Sequence, residues 1–98
     1  MKRRAPKPTD NPQRLRWLRG LCCAVCGSAW QVEAHHLTMG RGLGQRTSDE
    51  DAIPLCRDDH ASLHGFRGFF EGMTREERAA WQQATSDVYR RAWAERAA

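Results

Sequence analysis

No apolar run in this 98-residue chain approaches the ~20 residues that span a bilayer, which excludes a membrane helix. The basic start MKRRAPKP lacks the apolar stretch that would make it a secretory signal, so the expected compartment is a reducing cytosol. There, neighbouring cysteines more often hold a metal than form a disulfide. The length leaves room for one small domain only, and a core this small ordinarily needs a disulfide or a metal to be stable. Internal repeats are absent. Acidic residues are scarce at the start: residues 1–19 carry Lys2, Arg3, Arg4, Lys7, Arg14, Arg16 and Arg19 against Asp10 alone, a local balance of +6 in a chain of net charge +4. The rest of the chain is close to neutral.

Residues 1–12 hold three of the four prolines and almost nothing apolar, and read as a disordered basic arm. Such an arm suits contacts to a phosphate backbone, with Lys2, Arg3, Arg4, Lys7 and Arg14 as candidates, although a solvated tail has the same composition. Residues 13–98 read as one α+β domain, with a core over 13–70 and a helical segment over 74–97. PQRLRWLRGL, from Pro12, is a short amphipathic turn or helix ended by Gly20. WQVEAHHL and AIPLC read as two short strands; Ile53 and Leu55 share a face, and Pro54 is tolerable at an edge. Between them lies a loop marked by Gly40, Gly42 and Gly44, whose Arg41 and Arg46 are further candidates for backbone contact. RDDHASLHGF begins a helix, with Asp58 and Asp59 favourably placed in its first turn. Thr74 and Glu77 form a capping-box pattern. Beyond it, Trp81, Thr85, Val88 and Ala92 recur at helical spacing, with Thr85-Ser86-Asp87 as a candidate break. Trp81, Val88, Tyr89 and Trp93 are expected in the core.

The chemistry sits mid-chain. Cys23-x-x-Cys26 is a turn that lets two thiolates reach one tetrahedral Zn²⁺, and Cys56 at a strand-to-helix junction adds a third. Asp59 and His60 are both candidates for the fourth ligand, and Cys22 is a spare thiol or a substitute for Cys23. A thiol redox role is disfavoured because no βαβ pattern surrounds the motif. His60 and His64 are four residues apart, so a helix sets them on one face where they can share a metal. His35 and His36, adjacent at a strand end, point to opposite sides.

Together, Cys23-x-x-Cys26, Glu33-Ala-His-His36, Ser48-Asp49, Ile53-Pro-Leu-Cys56 and His60-x-x-x-His64 resemble the HNH nucleases. The resemblance covers roughly residues 12–70 and is nearest to the zinc-containing phage subgroup that includes recombination-enhancement, RecA-dependent nucleases. It implies a ββα-metal (His-Me finger) core with a structural zinc and additional C-terminal helices. It also implies an endonuclease that cuts DNA to 5′-phosphate and 3′-hydroxyl ends in a phage-infected or prokaryotic cytosol, with a recombinase filament or another phage or host protein as a further partner. By the same resemblance His36 is the general base, and His35, His60 and His64 hold a catalytic divalent ion, often Mg²⁺. Asp49 and Asp51 are the loop-bracing residues, Asp51 standing where many members carry the middle Asn. Asp59 stands where Cys or His is usual as fourth zinc ligand. Three neutral imidazoles are soft ligands for Mg²⁺, so Mn²⁺, Ni²⁺, Co²⁺ or Zn²⁺ should bind well. Nothing in the sequence reads as a base-reading helix, so weak or shape-dependent specificity is expected. The competing expectation is a non-catalytic zinc module that binds DNA or a protein partner.

Overall fold

The computed structural model describes residues 10–38 and 48–96. Lys2, Arg3, Arg4, Lys7, Arg41, Arg46 and the glycine-rich loop lie outside them. The described elements run α1 (Pro12–Arg19), β1 (Val32–His35), β2 (Ile53–Cys56), α2 (Arg57–Gly65) and α3 (Arg75–Glu95), with 3₁₀ turns at Asp49–Asp51 and Gly68–Phe70. None of the described helices is long and apolar enough to cross a membrane.

α1 forms because Asn11 caps it: the Asn11 side chain accepts from the Arg14 N–H at 3.1 Å, and Pro12 occupies a first-turn position where a missing N–H costs nothing. α1 therefore starts within the segment that composition assigns to the arm, with Asn11 as its cap and Pro12 as its first residue. β1 and β2 pair antiparallel, with Val32 opposite Cys56, Ala34 opposite Pro54 and His35 opposite Ile53. All four residues of β2 are buried, because this two-stranded sheet is covered on both faces. Ile53 and Leu55 meet Leu63 of α2, Phe70 and, more peripherally, Trp81 of α3. Ala34, by its alternation, faces Leu15 and Leu18 of α1. Pro54 stands on an edge strand of this two-stranded sheet with its carbonyl turned outward to the Ala24 N–H, while its side chain shares the buried face of Ala34.

Two expectations about α3 need correction. The helix runs unbroken through Thr85-Ser86-Asp87, and its start is closed by a reciprocal capping box: Glu77 N–H to Thr74 Oγ1 at 3.1 Å, and Thr74 N–H to Glu77 Oε1 at 2.9 Å. Its buried positions are also rotated from the expected stripe. Gln82 and Ser86 are buried and Tyr89 is half-buried between the two core clusters, whereas Val88 is 50 % exposed. Trp93 meets Trp17 of α1 with ring centroids 5.2 Å apart, and Trp81 packs on Phe70 at 5.0 Å. The helix thus uses its aromatic residues at the margins and turns polar groups inward.

Arg14 is the other correction. It is fully buried, and its Nη1 donates to the backbone oxygens of Asp49 at 2.6 Å and Ala52 at 3.0 Å. Burial pulls its pKa below the ordinary arginine value, against the pull of Glu50 and Asp51. A guanidinium holding the turn before β2 from inside does not face a phosphate backbone.

Candidate metal centres

Cys23, Cys26, Cys56 and Asp59 bring their ligand atoms within 4.8 Å of one another. The Cys23–Cys26 turn is built by Cys23 N–H to Ser28 O at 2.8 Å and Gly27 N–H to Cys23 O at 2.9 Å. Gly27 closes it at φ +76°, a left-handed conformation that costs glycine little. Ala24 N–H donates to Pro54 O at 2.9 Å and ties the turn to β2, whose last residue is Cys56. Cys56 also caps α2, its sulfur accepting from the Asp59 N–H at 3.5 Å, and Val25 N–H approaches the Cys23 sulfur at 3.4 Å. N–H groups aimed at sulfur favour the thiolate.

The arrangement fits a tetrahedral ion. Two sulfurs each ~2.3 Å from one Zn²⁺ lie about 3.8 Å apart, and Cys26 and Cys56 are 3.8 Å apart. Asp59 Oδ2 lies 3.2 Å from both Cys23 and Cys56 sulfurs, a few tenths closer than shared ligation requires. Burial pushes the Cys56 thiol up to about 12. Burial would also raise the Asp59 carboxyl, but hydrogen bonds from the three thiols outweigh it and hold it below its ordinary value. A cation entering this cluster would displace the thiol protons. Asp59 is therefore the fourth member, His60 is not, and the exposed Cys22 stays outside.

His35, His60 and His64 form the second cluster, again within 4.8 Å. Ring centroids are 4.8 Å apart for His35–His60, 5.5 Å for His35–His64 and 5.0 Å for His60–His64. β1 delivers His35 to the face on which one turn of α2 delivers the other two. His35 is 2 % exposed, and burial drives its pKa down to about 4, helped by His60, His64 and His36 and opposed by its hydrogen bond to Gln82 Oε1. It is neutral at physiological pH, as a metal-ligating imidazole must be. His60 Nδ1 donates to Glu33 Oε1 at 2.8 Å, and His35 Nε2 lies 3.0 Å from Gln82 Oε1. Supports of this kind orient metal-binding imidazoles.

His36 points to the other side of the strand end, as adjacent residues must. Its Nε2 donates to Asp49 Oδ1 at 2.7 Å, and the Asn11 N–H holds Asp49 Oδ2 at 2.8 Å. Asp49 is 2 % exposed, and it rather than Asp51 reaches the histidine. Asp51 instead pairs with Arg90 of α3 at 3.4 Å. Both acids tie the turn before β2 to something, but to different partners.

A family model described as a protein of unknown function (DUF968) matches residues 1–89. The chain belongs to that family. Both metal-ligating clusters, Asp49 and α3 as far as Tyr89 lie inside the matched DUF968 span. No curated protein and no solved structure matches the chain.

Gln82 is the functional residue that sequence reasoning missed. One of two adjacent glutamines, Gln82 and Gln83, in a charged helix reads as solvated, and only its spacing of four and seven residues from Ser86 and Tyr89 offered a signal.

Proposed function

We propose that this chain is a metal-dependent DNA endonuclease of the HNH (ββα-metal) type, stapled by zinc at Cys23, Cys26, Cys56 and Asp59. The observation that carries the reading is His36, anchored through Nε2 by a buried carboxylate and next in the chain to His35, which joins His60 and His64 in a three-imidazole cluster formed by a hairpin and a helix.

The Asp49 carboxylate can only accept, so His36 Nε2 carries the proton and Nδ1 carries the lone pair. A neutral imidazole positioned beside a water takes its proton as a general base. Here Nδ1 removes the proton as the water oxygen bonds to phosphorus. The P–O3′ bond breaks, the leaving oxygen takes a proton from solvent, and the ends are 5′-phosphate and 3′-hydroxyl. Asp49 fixes the ring and stabilises the imidazolium as it forms. His35, His60 and His64 would hold a divalent cation, which would supply charge neutralisation at the scissile phosphate. The all-nitrogen donor set favours Mn²⁺, Ni²⁺, Co²⁺ or Zn²⁺ over Mg²⁺ for tight binding, whichever ion the cell provides. Arg75 lines, with Thr38 and Gln82, a cavity of about 350 Å³, which supports a backbone contact there in place of Arg14.

Nicking of supercoiled plasmid tests the reading. Cutting is expected with Mg²⁺ or Mn²⁺ and not with excess EDTA. His36→Ala should lower the rate by about 10²–10⁴-fold, with unchanged metal content and melting. Undiminished cutting by that variant removes the mechanism. A wild-type protein that binds DNA and cuts none of it with any of these ions is a non-catalytic zinc module.

A further inference from the structure

We propose that Gln82, on α3, fixes His35 as its Nε2–H tautomer and so makes Nδ1 the atom that His35 offers to a cation. This rests on the reading of His35, His60 and His64 as a metal centre, not on the nuclease reading. The residue lies outside the hairpin and α2 that supply the ligands, and it is a positioning residue rather than a ligand.

The hydrogen-bond geometry determines each orientation in turn. Gln82 is 1 % exposed, so its amide cannot turn to solvent. One end of that amide lies 3.1 Å from the Thr38 backbone N–H, and the other lies 2.9 Å from Thr38 Oγ1. A backbone N–H can only donate, so the end facing it must be the carbonyl oxygen, Oε1. The NH₂ end then donates to the Thr38 hydroxyl. Oε1 also lies 3.0 Å from His35 Nε2, and a carbonyl oxygen can only accept. His35 Nε2 must therefore carry the hydrogen. A neutral imidazole has one N–H, which leaves the lone pair on Nδ1.

His60 has the opposite arrangement: its Nδ1 donates to Glu33, leaving Nε2 bare. The pocket is thus assigned one Nδ1 ligand from the strand and one Nε2 ligand from the helix. The difference suits their origins. Nδ1 lies close to the backbone, so His35 serves from a buried strand end 2 % exposed, while His60 extends from an open helix face. Glu33 and Gln82 perform one task from opposite sides, one with an exposed carboxylate and the other with a buried amide. Through Gln82, α3 becomes part of the metal centre without donating a ligand.

The test uses full-length ¹⁵N-labelled protein with zinc retained in the cysteine cluster and no other divalent ion, at pH 7.5. Long-range ¹H–¹⁵N correlation spectra distinguish the two neutral tautomers, and His35 should show the Nε2–H pattern. Mn²⁺ or Co²⁺ titration then compares wild type with Gln82→Leu and Gln82→Glu. The leucine removes the acceptor and should weaken binding about 10–100-fold. The glutamate keeps an acceptor toward His35 and Thr38 and should bind within a few-fold of wild type. An Nδ1–H pattern in a wild type that still binds the cation overturns the role of Gln82 alone. Equal losses in both variants, with the Nε2–H pattern kept, overturn it as well, since the side chain then matters only for packing. The Nε2–H pattern in a wild type that takes up no Mn²⁺ or Co²⁺ instead overturns the cation site beneath it.

Discussion

The cysteine cluster and the histidine cluster are served by the same hairpin and the same helix, yet they are different kinds of site. Cys23 and Cys56 are 4 % and 8 % exposed and belong to the core around Leu55, Leu63 and Phe70. Deprotonated, the four groups of that cluster carry a formal charge of −4 in a closed tetrahedral set. The histidine cluster offers no anionic ligand, and only His35 is buried; His60 is half-open and His64 exposed. A closed anionic set holds an ion permanently and stabilises the fold, whereas an open set leaves coordination positions for water and substrate. Cys56 and Asp59 mark the junction: they end β2 and begin α2, and the next turn of that helix carries His60 and His64. The position of Cys56 and Asp59 therefore sets the helix phase that brings His60 and His64 to one face.

The sharpest way to break this comparison is to remove one ligand from each cluster. Cys56→Ser removes a thiolate and alters the cap of α2. Structural Zn²⁺ in small domains contributes about 10–16 kcal/mol of apparent binding energy, most of it expressed as folding. The variant should lose its cooperative melt and its stoichiometric zinc. His64→Ala should keep both and lose only the second, weaker ion. Circular dichroism melts with metal analysis check this. A Cys56→Ser protein that melts like wild type would show that the cluster is not a staple.

A smaller effect is expected at Arg14, where the two regions differ in what a basic residue does. Its Nη1 bridges two backbone oxygens of the turn that carries Asp49, and its Nε and Nη2 have no partner among the described residues. Arg14→Met removes both hydrogen bonds to buried carbonyls and relieves a buried charge. Losing the bonds costs about 1–3 kcal/mol per group, and relief of the partly satisfied guanidinium offsets part of that. A net loss of about 2 kcal/mol in urea unfolding is expected. The salt slope of DNA affinity should not change, because no phosphate contact leaves with a residue at 0 % exposure. A slope reduced by about 1 would return Arg14 to the interface.

These cases show what the sequence made legible. Spacing was enough for the clusters: a C-x-x-C turn, a third cysteine at a strand end and two histidines one helical turn apart constrain geometry through covalent reach alone. Strand alternation sent His35 and His36 to opposite sides for the same reason. Orientation at turns was not legible. Asp49 and Asp51 differ by two residues in a 3₁₀ turn, and which of them meets His36 depends on the Asn11 and Arg14 contacts from α1. Charge misled at Arg14, since composition cannot distinguish a guanidinium that binds phosphate from one that holds backbone carbonyls. The phase of α3 was misjudged because its buried arc carries Gln82 and Ser86, and an apolar count follows Val88 instead. Gln82 turns inward onto polar partners, His35 and Thr38, whereas the buried Ser86 hydroxyl has none among the described residues.

The smallest expected effect lies at Glu33, and it sharpens the contrast within the histidine cluster itself. Glu33 supports His60 through a 2.8 Å hydrogen bond, but the pair is 48 % and 28 % exposed, so water competes for both partners. Glu33→Gln keeps an oxygen that accepts from His60 Nδ1 and loses only a screened charge. Mn²⁺ or Co²⁺ affinity should fall by no more than a few-fold, with melting unchanged. Gln82→Leu, at a position that water does not reach, should cost far more. If the two variants weaken binding equally, burial is not what gives a support its strength here. The open and closed sides of the pocket would then be equivalent, and the low exposure of His35 would have no bearing on how the cation is held.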